Sequence, residues 1–158
     1  MKRDPHLQNV VSRMASGLLS RDGFLGDDPR RLEEILDADN SAVVGLGVTH
    51  EALAATLEGI FEKARAGLGT PVPIGGRHVA VHHEAMGRIP CPWGRCGVFP
   101  KGEVELADTA TGEAIRFTAL SIHMIAEHGF YQGRGSRYRL EPAALALFPP
   151  AGSTPAGG

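Results

Sequence analysis

Cysteine, aromatic residues and long apolar runs are scarce in this chain of 158 residues. The sequence has 2 cysteines, 1 tryptophan and 2 tyrosines, and aromatic residues make up 6% of it. Prolines interrupt the run after Glu141, so no stretch forms the helix of about 20 apolar residues that spans a bilayer. Polar residues interrupt the segment from Met1 to Ser20, which is not typical of a secretory signal. We therefore expect a cytoplasmic protein without a membrane partner, whose thiols are free or bound to metal.

The chain also lacks a strong excess of charge of either sign. Its formal net charge is -2, with 8 Lys/Arg against 11 Asp/Glu in residues 1–71 and 8 against 7 in residues 72–158. Neither half has the basic character expected of a dedicated nucleic-acid binder. The hydrophobic fraction of 42% and the charged fraction of 22% exclude a wholly disordered protein.

The N-terminal half of the sequence predicts helices. Apolar residues from Leu7 to Leu19 recur at helical spacing. Asp28, followed by proline, is typical of an N-cap before a first helical position and predicts a short helix over Pro29 to Asp37. Thr49 is expected to cap a longer helix that ends in Gly67 and Gly69. This helix has one apolar face that we expect to be buried: Leu53, Leu57, Ile60, Phe61, Ala64 and Leu68.

The C-terminal half changes to extended patterns. Apolar and polar residues alternate over Arg77 to Ala85, which predicts a strand. Lys101 to Ala107 and Glu113 to Phe117 flank a turn-forming segment, so we expect a β-hairpin. Ala119 to His128 then predicts a short helix that ends at Gly129.

These elements predict an α+β fold, in which N-terminal helices precede a small antiparallel sheet with one short helix. The boundary lies in the proline- and glycine-rich segment Thr70 to Gly76. We expect a helical segment over residues 1–70, a β-rich segment with the Cys/His site over 71–148, and a disordered tail over 149–158. The two ordered segments are expected to form one compact unit.

The most specific motif combines two cysteines with two histidines. Cys91 and Cys96 enclose the turn Pro-Trp-Gly-Arg, and His123 and His128 lie on the short helix that follows. Two thiolates and two imidazoles are ligand types for a tetrahedral zinc ion. The cysteine pair resembles the knuckle of zinc ribbons, stretched by two residues. The helix, with Leu120 three positions before the first histidine, resembles the histidine helix of C2H2 zinc fingers. The resemblance implies a zinc site at these four ligands.

Two spacings differ from those of a DNA-reading C2H2 finger. The 26 residues between Cys96 and His123 are about double the usual interval, so a hairpin must lie between the ligand pairs. His123 and His128 are five positions apart, about 140° around an ideal helix, which predicts a loosened last turn. The alternative is a site without metal, in which the cysteines are small buried hydrophobes and His128 interacts with the end of the helix.

A second group of histidines lies on the predicted strand before the knuckle. His82 shares a face with His78 and Glu84, whereas His83 faces the other side. His82 is a candidate replacement ligand or general base. We expect solvated strand histidines instead, because no nucleophile lies beside them in the sequence.

A basic loop follows the short helix and is the best anion-binding candidate. Its candidate residues are Arg134, Arg137, Arg139, Tyr131 and Tyr138. Guanidinium groups bind phosphate or carboxylate, and tyrosines stack on rings. The alternative is a structural loop whose arginines pair with the acidic helical half.

Two functions from different classes fit these patterns. The one we favour is a small cytoplasmic interaction or regulatory module, with zinc as its candidate cofactor and a basic loop that holds an anionic ligand, a protein or a nucleic acid. The other is a metal-assisted hydrolase in which His82 or Glu127 acts as the base. Four protein ligands favour the module, and three ligands plus a water favour the enzyme.

Overall fold

The predicted α+β class is confirmed by the computed structural model, which describes residues 5–14 and 23–148. The predicted tail over 149–158 lies outside the described residues. None of the described helices is both long enough and apolar enough to cross a membrane. The helices are α1 (Pro5–Met14), α2 (Leu32–Gly45), α3 (His50–Ala66), α4 (Ala119–His128) and α5 (Pro142–Leu145). The strands are β1 (Val72–Ile74), β2 (His78–His83), β3 (Arg88–Pro90), β4 (Val98–Pro100), β5 (Glu103–Asp108) and β6 (Ala114–Thr118).

Helix α3 confirms the predicted cap and most of the predicted apolar face. The Thr49 hydroxyl accepts a hydrogen bond from the Ala52 backbone N–H at 3.0 Å, and Gly67 forms the C-cap. Every predicted face residue is buried except Leu68, which is 89% exposed. Its predicted burial was wrong because the helix ends at Ala66, so Leu68 follows the cap and does not continue the helical face.

Helix α2 begins later and is longer than the sequence predicts. Asp28 does not cap it, because its carboxylate accepts hydrogen bonds from the Arg30 guanidinium at 2.7 and 2.9 Å and from the Arg134 backbone N–H at 3.0 Å. The helix instead starts at Leu32 and continues to Gly45. Helix α1 begins at Pro5, two residues before the apolar segment predicted as the N-terminal helix, and covers that segment as far as Met14. Residues 15–19 of the prediction fall outside the described part of the chain.

The larger sheet is antiparallel, with the strand order β1-β2-β5-β6. The predicted hairpin is confirmed by the pairing of β5 with β6, in which Leu106 lies opposite Ile115. A separate two-stranded ribbon pairs β3 with β4, with Ile89 opposite Phe99. The sequence did not predict this ribbon, and it carries the cysteine knuckle.

Helix α4 lies between two hydrophobic cores and therefore positions the histidines. Thr118 and Ser121 form a capping box at its start, and Gly129 ends it in the left-handed conformation with φ 61°. Ile122 and Ile125 pack into a large core against α3 and the sheet. The opposite side of the helix packs into a small core, whose buried members are Val10, Met14, Phe24, Leu32, Ile35, Ile89, Cys91, Leu120, Met124 and Phe130.

Candidate metal centre

The turn that connects β3 to β4 brings the two cysteines together. Gly94, Arg95 and Gly97 all have positive φ angles, of 80°, 57° and 95°, so the chain reverses within a few residues. The Cys91 carbonyl accepts a hydrogen bond from the Gly94 N–H at 3.0 Å, and the Cys91 N–H donates to the Gly97 carbonyl at 3.4 Å. These bonds fix the knuckle that the sequence predicts and place Cys91 and Cys96 on one side of it.

The two histidines converge from the C-terminal part of α4. Their ring centroids are 5.3 Å apart in an edge-to-face arrangement. The helix continues through His128, and the Phe130 N–H donates to the Met124 carbonyl at 3.1 Å behind Gly129. The predicted loosening of the last turn was therefore wrong, since His123 and His128 approach each other through their side chains.

The four predicted ligands lie together in space. One ligand atom from each of Cys91, Cys96, His123 and His128 can be chosen so that all four lie within 4.8 Å of one another. His128 Nε2 is 3.6 Å from the Sγ atoms of both cysteines. A tetrahedral zinc ion, with bonds of about 2.3 Å to sulfur and about 2.0–2.1 Å to nitrogen, separates such S and N ligands by about 3.6 Å. The two distances from His128 therefore match a tetrahedral zinc site, and the four side chains lie close enough together to hold a metal ion.

One ring nitrogen of a candidate ligand lacks a hydrogen-bond partner in the described part of the chain. His123 Nε2 is buried and has no hydrogen-bond partner among the described residues. Leaving a buried polar atom unsatisfied costs about 1–3 kcal/mol, so such atoms are rare in folded proteins. A metal ion bound to this nitrogen removes that cost, and the donor set therefore fits a metal.

The protonation states of the cluster also suit metal binding. Burial lowers the pKa of His128 to about 4, with a further contribution from His123, and it lowers the pKa of His123 as well. Both imidazoles are therefore neutral at neutral pH, which is the state that binds metals. Burial, with a smaller contribution from nearby Cys96, raises the pKa of Cys91 to about 12. A coordinated metal deprotonates such a thiol, so binding must release its proton.

Aromatic rings that were not among the predicted site residues cover the cluster. Trp93 stacks on His128, with 4.2 Å between ring centroids and 5° between ring planes. Phe99 packs against His123 with a centroid distance of 4.6 Å. The position of Trp93 between the two cysteines was the available sequence signal. These rings fix the orientation of both imidazoles.

Helix α1 also reaches the knuckle. Its Arg13 Nε donates a hydrogen bond to the Pro92 carbonyl at 2.5 Å, between the two cysteines. Val10 and Met14 from the same helix are fully buried in the small core with Cys91. This contact joins the N-terminal helix to the candidate metal centre, and no local pattern in the sequence predicts it.

The histidines of β2 lie apart from this cluster. His82 is 5% exposed, and its ring meets Phe61 of the large core edge-on at 5.4 Å. The expectation of a solvated side chain was wrong for His82, because its strand face packs against α3. His78 is half-buried against Phe148, whereas His83 is exposed.

Four of the five residues of the predicted anion-binding loop interact with other groups of the chain. Tyr131 is 1% exposed, and its hydroxyl lies 2.9 Å from His50 Nδ1. Arg137 and Tyr138 both donate to the Glu103 carboxylate at 2.9 Å. The Arg139 guanidinium binds Asp39 at 2.6 and 2.9 Å and Glu141 at 3.1 Å.

Arg134 differs from the other loop arginines. It is exposed, and no ion pair to its guanidinium is found in the described part of the chain. The pairing of Arg139 with Asp39 of α2 matches the alternative in which loop arginines neutralise the acidic helical half. Anion binding by the loop stays a prediction.

Comparisons with known proteins found no relative of this chain. The chain matches no family model, no curated protein and no solved structure. The functional argument therefore rests on the residues of the site.

Proposed function

We propose that Cys91, Cys96, His123 and His128 bind one structural zinc ion, and that the chain is a zinc-stabilised interaction module. The observation that carries this proposal is the convergence of one ligand atom from each of the four side chains to within 4.8 Å of one another. It is supported by the buried His123 Nε2, which has no hydrogen-bond partner among the described residues. The cysteines come from the ribbon and the histidines from α4, so the ion would join elements that lie far apart in sequence.

The donor set supports zinc as the metal. Thiolate and imidazole are soft or borderline ligands, and a tetrahedral S2N2 set is typical of zinc. Calcium and magnesium prefer oxygen ligands, and this cluster contains none. The S to N distances of 3.6 Å also match tetrahedral zinc.

The number of ligands supports a structural site over the alternative hydrolase. A catalytic zinc keeps an open position for water, and four protein ligands fill a tetrahedral ion. The two proposed bases also lack the expected placement. His82 packs against Phe61 of the large core, and Glu127 is exposed on α4.

The proposed zinc would stabilise the small core. Cys91 is itself a buried member of that core, together with Leu120 and Met124 of α4. Binding a metal to these side chains adds folding free energy, because the unfolded chain does not hold the ligands together. The ribbon would then be fixed on the side of α4 that faces away from the large core.

Elemental analysis of purified, reduced protein tests the proposal directly. We expect one equivalent of zinc, and a cobalt-substituted sample should show the visible spectrum of a tetrahedral thiolate site. Cys96→Ser and His123→Gln should each reduce bound zinc, and chelation should lower the Tm by at least about 10 °C. His83→Gln, at an exposed histidine outside the cluster, is the matched control and should retain zinc. A reconstituted wild-type protein without bound zinc would contradict the proposal.

A further inference from the structure

The cations of this protein are paired with carboxylates in most places but not on the ribbon. Among the described residues, seven arginines form ion pairs with an aspartate or glutamate: Arg30, Arg31, Arg65, Arg77, Arg116, Arg137 and Arg139. The exposed ribbon residues Arg88, Arg95 and Lys101 have no such partner in the described ranges 5–14 and 23–148. Residues 85–102 also contain no Asp or Glu. The ribbon is therefore a local positive surface on a chain of net negative charge.

The outer face of the ribbon combines this charge with exposed apolar groups. Arg88 lies opposite Pro100 and Pro90 lies opposite Val98, so these four side chains share one face of the ribbon. All four are exposed, and Val98 is 51% exposed. Met86, just before β3, is 96% exposed. Apolar side chains flanked by unpaired cations are typical of a surface that binds a protein partner.

A second surface, which is acidic, lies between α2, α3 and the end of α4. An open cavity of about 360 Å³ is lined there by Asp37, Glu51 and Glu127, which are all exposed. No ion pair to these carboxylates is found within residues 5–14 and 23–148. Val44 lies seven positions after Asp37, on the same side of α2, and is 69% exposed. This acidic surface thus also has an exposed apolar neighbour.

One residue, His128, contacts both the knuckle and the acidic cavity. Its imidazole stacks on Trp93 in the knuckle, and the same residue lines the acidic cavity beside Glu127. A chain that carries two oppositely charged surfaces can pair each of them with the other surface of a second copy, and a two-fold rotation relates the two contacts. A nucleic acid would match the basic ribbon alone, and its bases stack best on exposed aromatic rings, whereas the exposed apolar groups of the ribbon are aliphatic.

We propose that the chain forms a two-fold symmetric homodimer. In this dimer the outer face of each copy's ribbon docks on the acidic cavity of the other copy. The inference rests on the proposed role as an interaction module and names its partner. The charge complementarity comes from the cavity carboxylates Asp37 and Glu51 and from the ribbon cations Arg88 and Lys101, none of which has an ion pair among the described residues. Lys101 lies at the edge of the outer face, since its backbone N–H donates to the carbonyl of Gly87, the residue before Arg88. Val44 and Val98 supply apolar area on the two surfaces.

Sedimentation of the full chain with two charge-reversed variants tests this inference. The wild type should dimerise at about 20 mM salt, and its dissociation constant should rise at least about tenfold at about 0.5 M salt, where charges are screened. The ribbon variant R88E/K101E and the cavity variant D37K/E51K should each be monomeric at the wild-type dimer concentration. An equimolar mixture of the two should form a mixed dimer, since both of its contacts again pair opposite charges. A folding defect cannot produce that rescue.

Matched control variants show whether any loss of dimerisation is specific to the two surfaces, and the zinc content separates this inference from the proposed function. Lys63→Glu on α3 and Glu113→Lys beside the hairpin turn reverse exposed charges elsewhere and should leave dimerisation unchanged. A monomeric wild type at low salt, a dimer that survives both variants, or failure of the mixture to associate would overturn the inference. So would a monomer that binds a labelled oligothymidylate through Arg88 and Lys101. Zinc measured in the same samples keeps the two proposals distinct, because a zinc-containing monomer contradicts the dimer only.

Discussion

The indole of Trp93 lies parallel to the imidazole of His128, with 4.2 Å between their ring centroids. Phe130 in turn meets Trp93 at a centroid distance of 5.4 Å. The indole therefore covers one face of a proposed metal ligand, and it also contacts Phe130 of the small core. Groups that orient a ligand in this way contribute to metal affinity without touching the metal.

We predict that Trp93→Ala weakens zinc binding about tenfold or more while leaving all four ligands in place. Trp93→Phe, which retains an aromatic ring, should lose less affinity. A competition titration with a chromophoric chelator measures both. Equal zinc affinity in the wild type and the alanine variant would show that the stacked indole does not support the site.

The fluorescence of Trp93 offers a second readout, because it is the single tryptophan of the chain. Chelation should change its emission, since the indole stacks on an imidazole that would lose its metal. The same chelation applied to His123→Gln should have little effect, because that variant is expected to bind little metal. An emission spectrum that does not change when wild-type zinc is removed would contradict this expectation.

We also predict that zinc affinity falls as the pH falls from about 8 to about 5. His128, with its pKa near 4, stays neutral over this range and does not compete with the metal. Burial raises the pKa of the Cys91 thiol to about 12, so this thiol keeps its proton until zinc displaces it. Each displaced thiol proton makes affinity rise by about tenfold for each pH unit. Chelator competition across the pH range checks the slope, and Cys91→Ser should reduce it. A flat profile would show that no thiol proton is released.

The packing of α3 leads to a stability prediction with an internal control. Leu57 is fully buried in the large core, whereas Leu68 is 89% exposed just beyond the helix. Leu57→Ala should lower the free energy of unfolding by about 2–5 kcal/mol, because it removes buried methyl groups and leaves a cavity. Leu68→Ala should change it by no more than about 0.5 kcal/mol. Urea unfolding of both variants tests the difference, and similar losses would mean that α3 does not pack as described.

The elements that local chemistry determines were predictable from the sequence. The Thr49 cap of α3, the hairpin of β5 with β6 and the left-handed Gly129 after α4 each depend on neighbouring residues. The four candidate metal ligands were also identified, because their residue types and the turn between the cysteines are local signals. The structure places them together, as the motif required.

The features that depend on distant contacts were not predictable. Asp28 fits the local pattern of an N-cap, yet its carboxylate binds Arg30 and the backbone of Arg134, which lies 106 positions away. The alternating pattern of β2 is compatible with a solvated His82 side chain. The packing of α3 against β2 buries that side chain beside Phe61. The contact of Arg13 with the knuckle likewise joins residues 79 positions apart. Neither periodicity nor spacing encodes such pairs.

The pairing of the loop arginines leads to the last prediction. The side chains of Arg139 and Asp39 are 11% and 6% exposed and form two hydrogen bonds, at 2.6 and 2.9 Å. Arg139→Gln would leave the Asp39 charge buried without its counterion, so the free energy of unfolding should fall by about 3–5 kcal/mol. Arg137, 45% exposed in its pair with Glu103, should contribute at most about 1 kcal/mol.

A double-mutant cycle separates this structural role from anion binding by the loop. If Arg139 acts through Asp39, the variant Arg139→Gln/Asp39→Asn should lose much less stability than the sum of the single variants, because it leaves no unpaired charge. Arg134→Gln, at an exposed arginine whose guanidinium has no ion pair among the described residues, should leave stability unchanged within about 0.5 kcal/mol. Urea unfolding measures the cycle. Additive losses at Arg139 and Asp39 would contradict the pairing, and a full-stability Arg139→Gln protein that no longer binds inorganic phosphate would restore the loop as an anion site.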